Sequence, residues 1–299
     1  MANVMSTTEK ANLVIPEKPR IYVFKDRFSE GVAFDIAEES RVSVFRTLET
    51  ILRIHRLVRA RDISVRKPLE KRLVPFWHIK CHALYEYECS RSYELQVGDD
   101  TRTVTSVVVD DHRYYVINEP LPPHIRIEGV EHSVSEKRVE GFFDGISSCE
   151  QEDLRQYLER GFPVEKLDPK MDLEEQGLCV AEPKLKASSV ISEAIRKAVP
   201  EKLRIDRLIR EEVEVETLDL YFRPMYVATL EWKHGPETKI AEIDALVGEP
   251  RPRSSTFLEG LKQVLTPQLG IGISAVDIDN IITAPIAIGA IAVNITVVK

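Results

Sequence analysis

The sequence predicts an α+β protein of two related modules, each a helix packed on a small antiparallel sheet, arising from an internal duplication and followed by an apolar C-terminal tail. Three observations predict it. Leu52–Arg59 (LRIHRLVR) and Leu203–Arg210 (LRIDRLIR) agree at six of eight positions. The offset between the two stretches is 151 residues at Leu52/Leu203 and 149 at Pro75/Pro224, and beyond each proline an alternating strand follows. Trp77, Ile79, Cys81 and Ala83 match Tyr226, Ala228, Leu230 and Trp232, and a strand's two-residue period places each set on one side of a sheet. The third observation is a change of composition: Asn280 to Val298 is nineteen residues without a charge. A repeat this long implies two domains and not a solenoid array.

A chain of 299 residues, 43% apolar, is long enough for two real cores. Its net charge of -8 argues against attraction of the whole molecule to nucleic acid or anionic lipid. Cys81, Cys89, Cys149 and Cys179 show no CxxC spacing, which reads as reduced thiols in a cytoplasmic protein.

Residues 1–20, with Pro16 and Pro19, read as a flexible arm. Module A is expected over 21–118. It opens with a short strand at Ile21–Phe24. A helix follows over Glu39–Ala60, where Val44, Leu48, Ile51 and Leu52 recur at helical steps and Ser40 is the expected N-cap. Pro68 and Pro75 place the next strands at an edge or after a bend. Phe76–Glu88 alternates apolar with polar, the mark of a half-buried strand. Strands at Ser92–Val97, Thr103–Val109 and Arg113–Ile117 complete a meander, with turns at Gly98–Asp100 and Asp110–Asp111.

Residues 119–184 read as a linker and insert. Glu119–Pro123 is proline-stiffened. One helix is expected beyond it, capped by Ser147 or Ser148, with Leu154, Tyr157 and Leu158 as its stripe and Gly161 and Pro163 as its stop. Module B spans 185–250. Ser188 or Ser189 opens its helix, Pro200 splits it, and Met225–Trp232 forms a hairpin with Thr238–Val247. The segment 251–299 holds a helix at Thr256–Leu265 and then the uncharged run. That run matches the roughly 20 residues a bilayer requires. Pro285, Gly289, Asn280 and Asn294 interrupt it, and its alternation also suits a buried strand.

Chemistry is thinly signalled. His78, Cys81, His82 and Cys89 suggest zinc, but on a strand Cys81 faces away from the two histidines. Gly270–Ala275 spells GxGxxA without the strand-then-helix context a dinucleotide needs. Asp111, His112 and His78 are the residues an enzyme would recruit. No catalytic, cofactor or metal site is assigned. The charge contrast is more informative. Arg53, Arg56, Arg59, Arg61, Arg66 and Lys67 make the first stretch basic; Glu211, Glu212, Glu214 and Glu216 make the second acidic. These residues are the expected partner-binding surfaces, because complementary potential orients association. The function expected is a non-catalytic adaptor or assembly subunit that binds protein partners, or itself, through the charged faces and the apolar tail. Two alternatives accompany it: a nucleic-acid binder using the basic face, and a membrane-associated protein held by residues 280–298.

Overall fold

The structure is a computed structural model that describes residues 11–45, 59–98, 104–120, 122–167, 179–181, 183–199, 205–252 and 293–298. Its spine is the long strand β10, Arg207–Trp232. Along one side of β10 run β3 (Ile63–Val65) and then β4 (Glu70–Gln96), both antiparallel, from Ile63↔Trp232 to Glu88↔Arg207. Along the other side lie β1 (Ala11–Pro16) and β2 (Arg20–Phe24), both parallel, and β11 (Thr238–Asp244), antiparallel. The outer neighbours are β7 (His124–Asp144) and β9 (Cys179–Val180) on β4, β8 (Val164–Lys166) on β2, β12 (Pro250–Pro252) on β11, and β13 (Val293–Val298) on β1. The result is one mixed sheet of eleven strands, with β5 (Ser106–Val109) and β6 (His112–Tyr115) forming a separate hairpin.

Among the described residues, α1 (Glu30–Phe45), α2 (Arg155–Glu159) and α3 (Ala187–Ala198) are the only α-helices. The α+β expectation is therefore corrected: the fold is mostly β, and there are no two helix-on-sheet modules. The physical reason is the partner choice of the two related stretches. β4 and β10 pair with each other from Leu73↔Pro224 to Glu88↔Arg207, so they share one sheet. The helices are also exchanged. α1 precedes β4 in the chain, yet Ala33, Ala37 and Phe45 pack on Tyr226, Leu230, Trp232 and Ile243. α3 precedes β10, yet Val190, Ile191 and Ala194 share their core with Trp77, Ile79, Cys81 and Tyr85. Alanines on both helices let the helix backbone approach the sheet closely. The opposite face holds a smaller aromatic core, Phe24, Phe76, Phe142, Tyr157 and Tyr221, under α2.

Several local expectations are corrected with it. Ser40 is not a cap; it lies inside α1 and its hydroxyl donates to the Ile36 carbonyl at 2.7 Å. The second half of the expected helix, from 46 to 58, lies outside the described residues. The expected insert begins with the 21-residue strand β7. Its helix is reduced to a 3-10 turn (Glu152–Leu154) and α2, and Gln151, not Ser147 or Ser148, occupies the N-terminal position. Gly161, with φ +62°, follows the helix as expected. α3 ends at Ala198; Pro200 lies outside the described residues. The hairpin of β10 and β11 is as expected, from Met225↔Asp244 to Glu231↔Thr238.

Pro75 and Pro224 sit inside the two longest strands at corresponding spots. Pro75 accepts from Gly145 N–H and Pro224 from Ala245 N–H, each at 3.0 Å, one residue beyond the end of β7 and β11 respectively. A proline is tolerated there because the flanking strand has already turned away and asks for no N–H. Of the C-terminal run, Val293–Val298 pairs with β1 in parallel, while 280–292 lies outside the described residues. No helix among the described residues is long and apolar enough to cross a membrane.

Candidate interaction site

The correspondence between the two stretches is tightest at two Asp turns. Asp144 Oδ1 accepts from Ile146 N–H at 3.0 Å and Ser147 N–H at 2.7 Å; Asp244 Oδ1 accepts from Leu246 at 2.8 Å and Val247 at 3.2 Å. Ser148 and Gly248 close these turns in the left-handed region, at φ +59° and +77°, each donating to its Asp carbonyl. Between the two carboxylates lies Arg223, itself buried: its guanidinium is 3.6 Å from Asp144 and 3.9 Å from Asp244. Tyr157 bridges, accepting from Arg223 at 2.8 Å and donating to Asp244. This buried cluster joins the two halves of the sheet. Among the described residues all four of its side chains are buried.

Gly145 is required at the first of these turns. A Cβ there would meet the Pro75 carbonyl oxygen at 2.8 Å and its ring carbons at 2.9 and 3.0 Å. Gly145→Ala is expected to destabilise by about 1–3 kcal/mol, because the contact is with backbone and a rigid ring. A urea midpoint within error of wild type would contradict this.

An exposed feature of the sheet is a ribbon. Beyond Glu88↔Arg207 the spine strand has ended, but β4 and β7 stay paired from Cys89↔Glu131 to Gln96↔His124. That two-stranded projection is roughly 25 Å long. Surface ion pairs lace it, Arg91–Glu131 at 3.1 Å and Glu94–Arg126 at 2.9 Å, and Tyr93 lies over Gly129. The chain then continues into the β5–β6 hairpin, whose Asp110-Asp111 turn is left-handed at φ +45° and +64°. Around this end Tyr115 is 71% exposed, Val108 59% and Leu95 49%.

Among the described residues, the charged residues expected to bind partners do not converge. Arg53 and Arg56 lie outside the described residues. Arg59, Arg61, Arg66 and Lys67 are exposed around β3, beside Leu230–Trp232, with the Lys67 ammonium 3.7 Å above the Phe34 ring. The acidic stretch sits at the other end of β10, some fifteen residues and roughly 50 Å away along the strand. Among the described residues the two faces therefore do not meet within the chain. Glu212 and Glu214 border a shallow depression with Asn12, Val14, His82 and Leu84. Glu216 is the extra residue of a β-bulge between Val215 and Thr217. Glu211 points the other way, into the core next to Tyr85, and its Oε1 has no hydrogen-bond partner.

The residues considered for catalysis are also dispersed. Asp111 and His112 are at the hairpin tip, and His112 Nδ1 lies 2.9 Å from the Asp110 carbonyl. His78 is in the body of the main sheet, some 18 residues and roughly 60 Å of strand from Gln96 at the end of β4. It is buried, stacks on Phe142 at 4.7 Å and bonds Glu140 through Nε2 at 2.8 Å. Burial lowers its pKa, outweighing the opposing pull of Glu140. His78 and His82 share one face with Lys80, and Cys81 lies on the other in the α3 core, its thiol pushed up to about 12 chiefly by burial. Cys89 contacts Glu131 at 3.3 Å. Among the described residues no group of three His, Cys, Asp or Glu is placed to hold a metal ion.

Sequence reasoning missed the ribbon and the Asp turns. The ribbon's signal was present in the length of alternation from Trp77 to Gln96; the turns' signal was the pair Asp144-Gly-Ile and Asp244-Ala-Leu, 69 residues past Pro75 and 20 residues past Pro224. Comparison with protein families, curated proteins and solved structures finds no match for this chain.

Proposed function

We propose that the protein is a non-catalytic adaptor or assembly subunit that engages a protein partner through the end of its projecting ribbon. The observation that carries this reading is the ribbon itself, two strands wide beyond Glu88 and apolar at its exposed end. A lone two-stranded ribbon is marginal in water, and clustered exposed apolar side chains mark interaction sites. The dispersal of Asp111, His112 and His78 supports the non-catalytic part. A cytoplasmic setting, expected from the cysteine spacing, belongs to the same reading.

The test is site-specific photo-crosslinking from position 115, with exposed position 184 on the body as control, followed by the paired change Tyr115→Ser and Val108→Ser. The partner is expected to crosslink from 115 only, and the paired change is expected to weaken its recovery by about tenfold or more, as loss of an aromatic anchor does. The melting temperature should stay close to wild type, since exposed positions contribute little. Equal products from both positions, or an undiminished complex in the paired variant, would overturn the reading.

A further inference from the structure

Among the described residues the outer edge of β7 is open along a stretch that has its own symmetry. At one end His124 exchanges both backbone bonds with Ile117, at 2.8 and 3.0 Å. At the other, the Phe142 carbonyl accepts from Gln151 at 2.8 Å and Asp144 N–H donates to Cys149 at 2.9 Å. Even-numbered residues of β7 therefore direct N–H and C=O away from β4. Between these two closed ends the free residues run from Arg126 to Glu140. Among the described residues, none of their outward backbone groups has a partner. The midpoint of that interval is Ser133.

We propose that this edge pairs with the same edge of a second copy, antiparallel about Ser133, so that two sheets merge across a two-fold axis. A strand edge is a template for another strand, and a two-fold interface must be self-complementary. In this register Arg126 faces Glu140 of the second copy and Glu128 faces Arg138, each twice by symmetry. Moving the axis to residue 132 sets Arg126 against Arg138 and Glu128 against Glu136. Moving it to 134 sets Glu128 against Glu140. Opposite charges across a strand pair stabilise and like charges oppose, so the charges disfavour both adjacent registers and favour this one, which sets two complementary pairs opposite each other, each twice. Val134, 70% exposed on the same face as these charges, becomes a diagonal neighbour of Val134 of the second copy and of its Val130, which is 57% exposed, within side-chain reach near the axis. The proposal goes beyond the reading of the ribbon end and stands without it: one concerns a second copy on the edge, the other a different protein at the tip.

Light scattering over a dilution series is expected to show a dimer. Val134→Pro should abolish it while leaving circular dichroism and melting unchanged, because the N–H removed points away from β4 and a proline is accepted on an edge. Glu128→Arg should weaken dimerisation by about tenfold, and adding Arg138→Glu should restore it. In a Cys149→Ser background, Ser133→Cys should oxidise to a covalent dimer and Ser135→Cys should not, since only the axial pair lies within disulfide range. A wild-type monomer at every concentration, a dimer that survives Val134→Pro in folded protein, or crosslinking at 135 in place of 133 would overturn the proposal.

Discussion

Arg223→Leu is expected to cost about 3–5 kcal/mol of unfolding free energy, the loss seen when one partner of a buried charge cluster is removed. Arg223 lies opposite Val74, where the two halves of the sheet meet, and is 3% exposed at its side chain. Among the described residues it is the one cation paired with the carboxylates of Asp144 and Asp244. Those carboxylates cannot swing out to water, because each holds two backbone N–H groups of its turn. Removing the guanidinium leaves two buried negative charges facing each other. Tyr157→Phe deletes only the hydroxyl that links Arg223 to Asp244, so its cost should be smaller, about 1–2 kcal/mol. Urea denaturation of both variants checks the order. An Arg223→Leu midpoint at or above that of Tyr157→Phe would show that the cluster does not hold the two halves together.

The sequence displays this fold unevenly. The Met225–Trp232 hairpin is legible because one face of it is apolar throughout and Lys233–Pro236 supplies the turn. The same pattern on Phe76–Glu88 marks a strand but not its partner: alternation reports which face is buried, and Tyr85 beside Glu211 reads the same whether the neighbour comes from the same module or from the other. That is why two helix-on-sheet modules were expected where one sheet carries two exchanged helices. β7 escapes notice for a different reason. Through Arg126–Arg138 it is wet on both faces, so Ile127, Val130 and Val134 fall out of phase and no amphipathic period forms. Ser40 precedes a run of helical periodicity and so imitates a cap, although the helix had begun ten residues earlier at Glu30. Charge was legible as composition and misleading as geometry. Glu212 and Glu214 are on the open face, whereas Glu211, one residue away, is on the core side of the same strand.

Glu211→Gln is expected to make the protein more stable at pH 7.5, by about 1–3 kcal/mol, the cost of a buried charged group left unsatisfied. Glu211 is 5% exposed, its Oε1 has no partner, and the hydroxyl of the neighbouring Tyr85 has none either. Burial pushes the Glu211 carboxyl above its ordinary 4.5. The folded chain therefore binds this proton more tightly than the unfolded chain does. The sign follows from linkage: with the pKa raised on folding, the contribution of Glu211 is intact below about pH 4.5 and is lost as pH rises through the folded value. Glutamine is neutral throughout and escapes that loss. The difference between variant and wild type should thus be small at pH 4 and grow toward neutrality, while every other titrating group cancels because both proteins share it. Tyr85→Phe, which removes a hydroxyl with no partner, should be neutral or mildly stabilising. Equal stability of Glu211→Gln and wild type at both pH values would mean that Glu211 is solvated in solution. It would then rejoin Glu212 and Glu214 as part of the acidic surface.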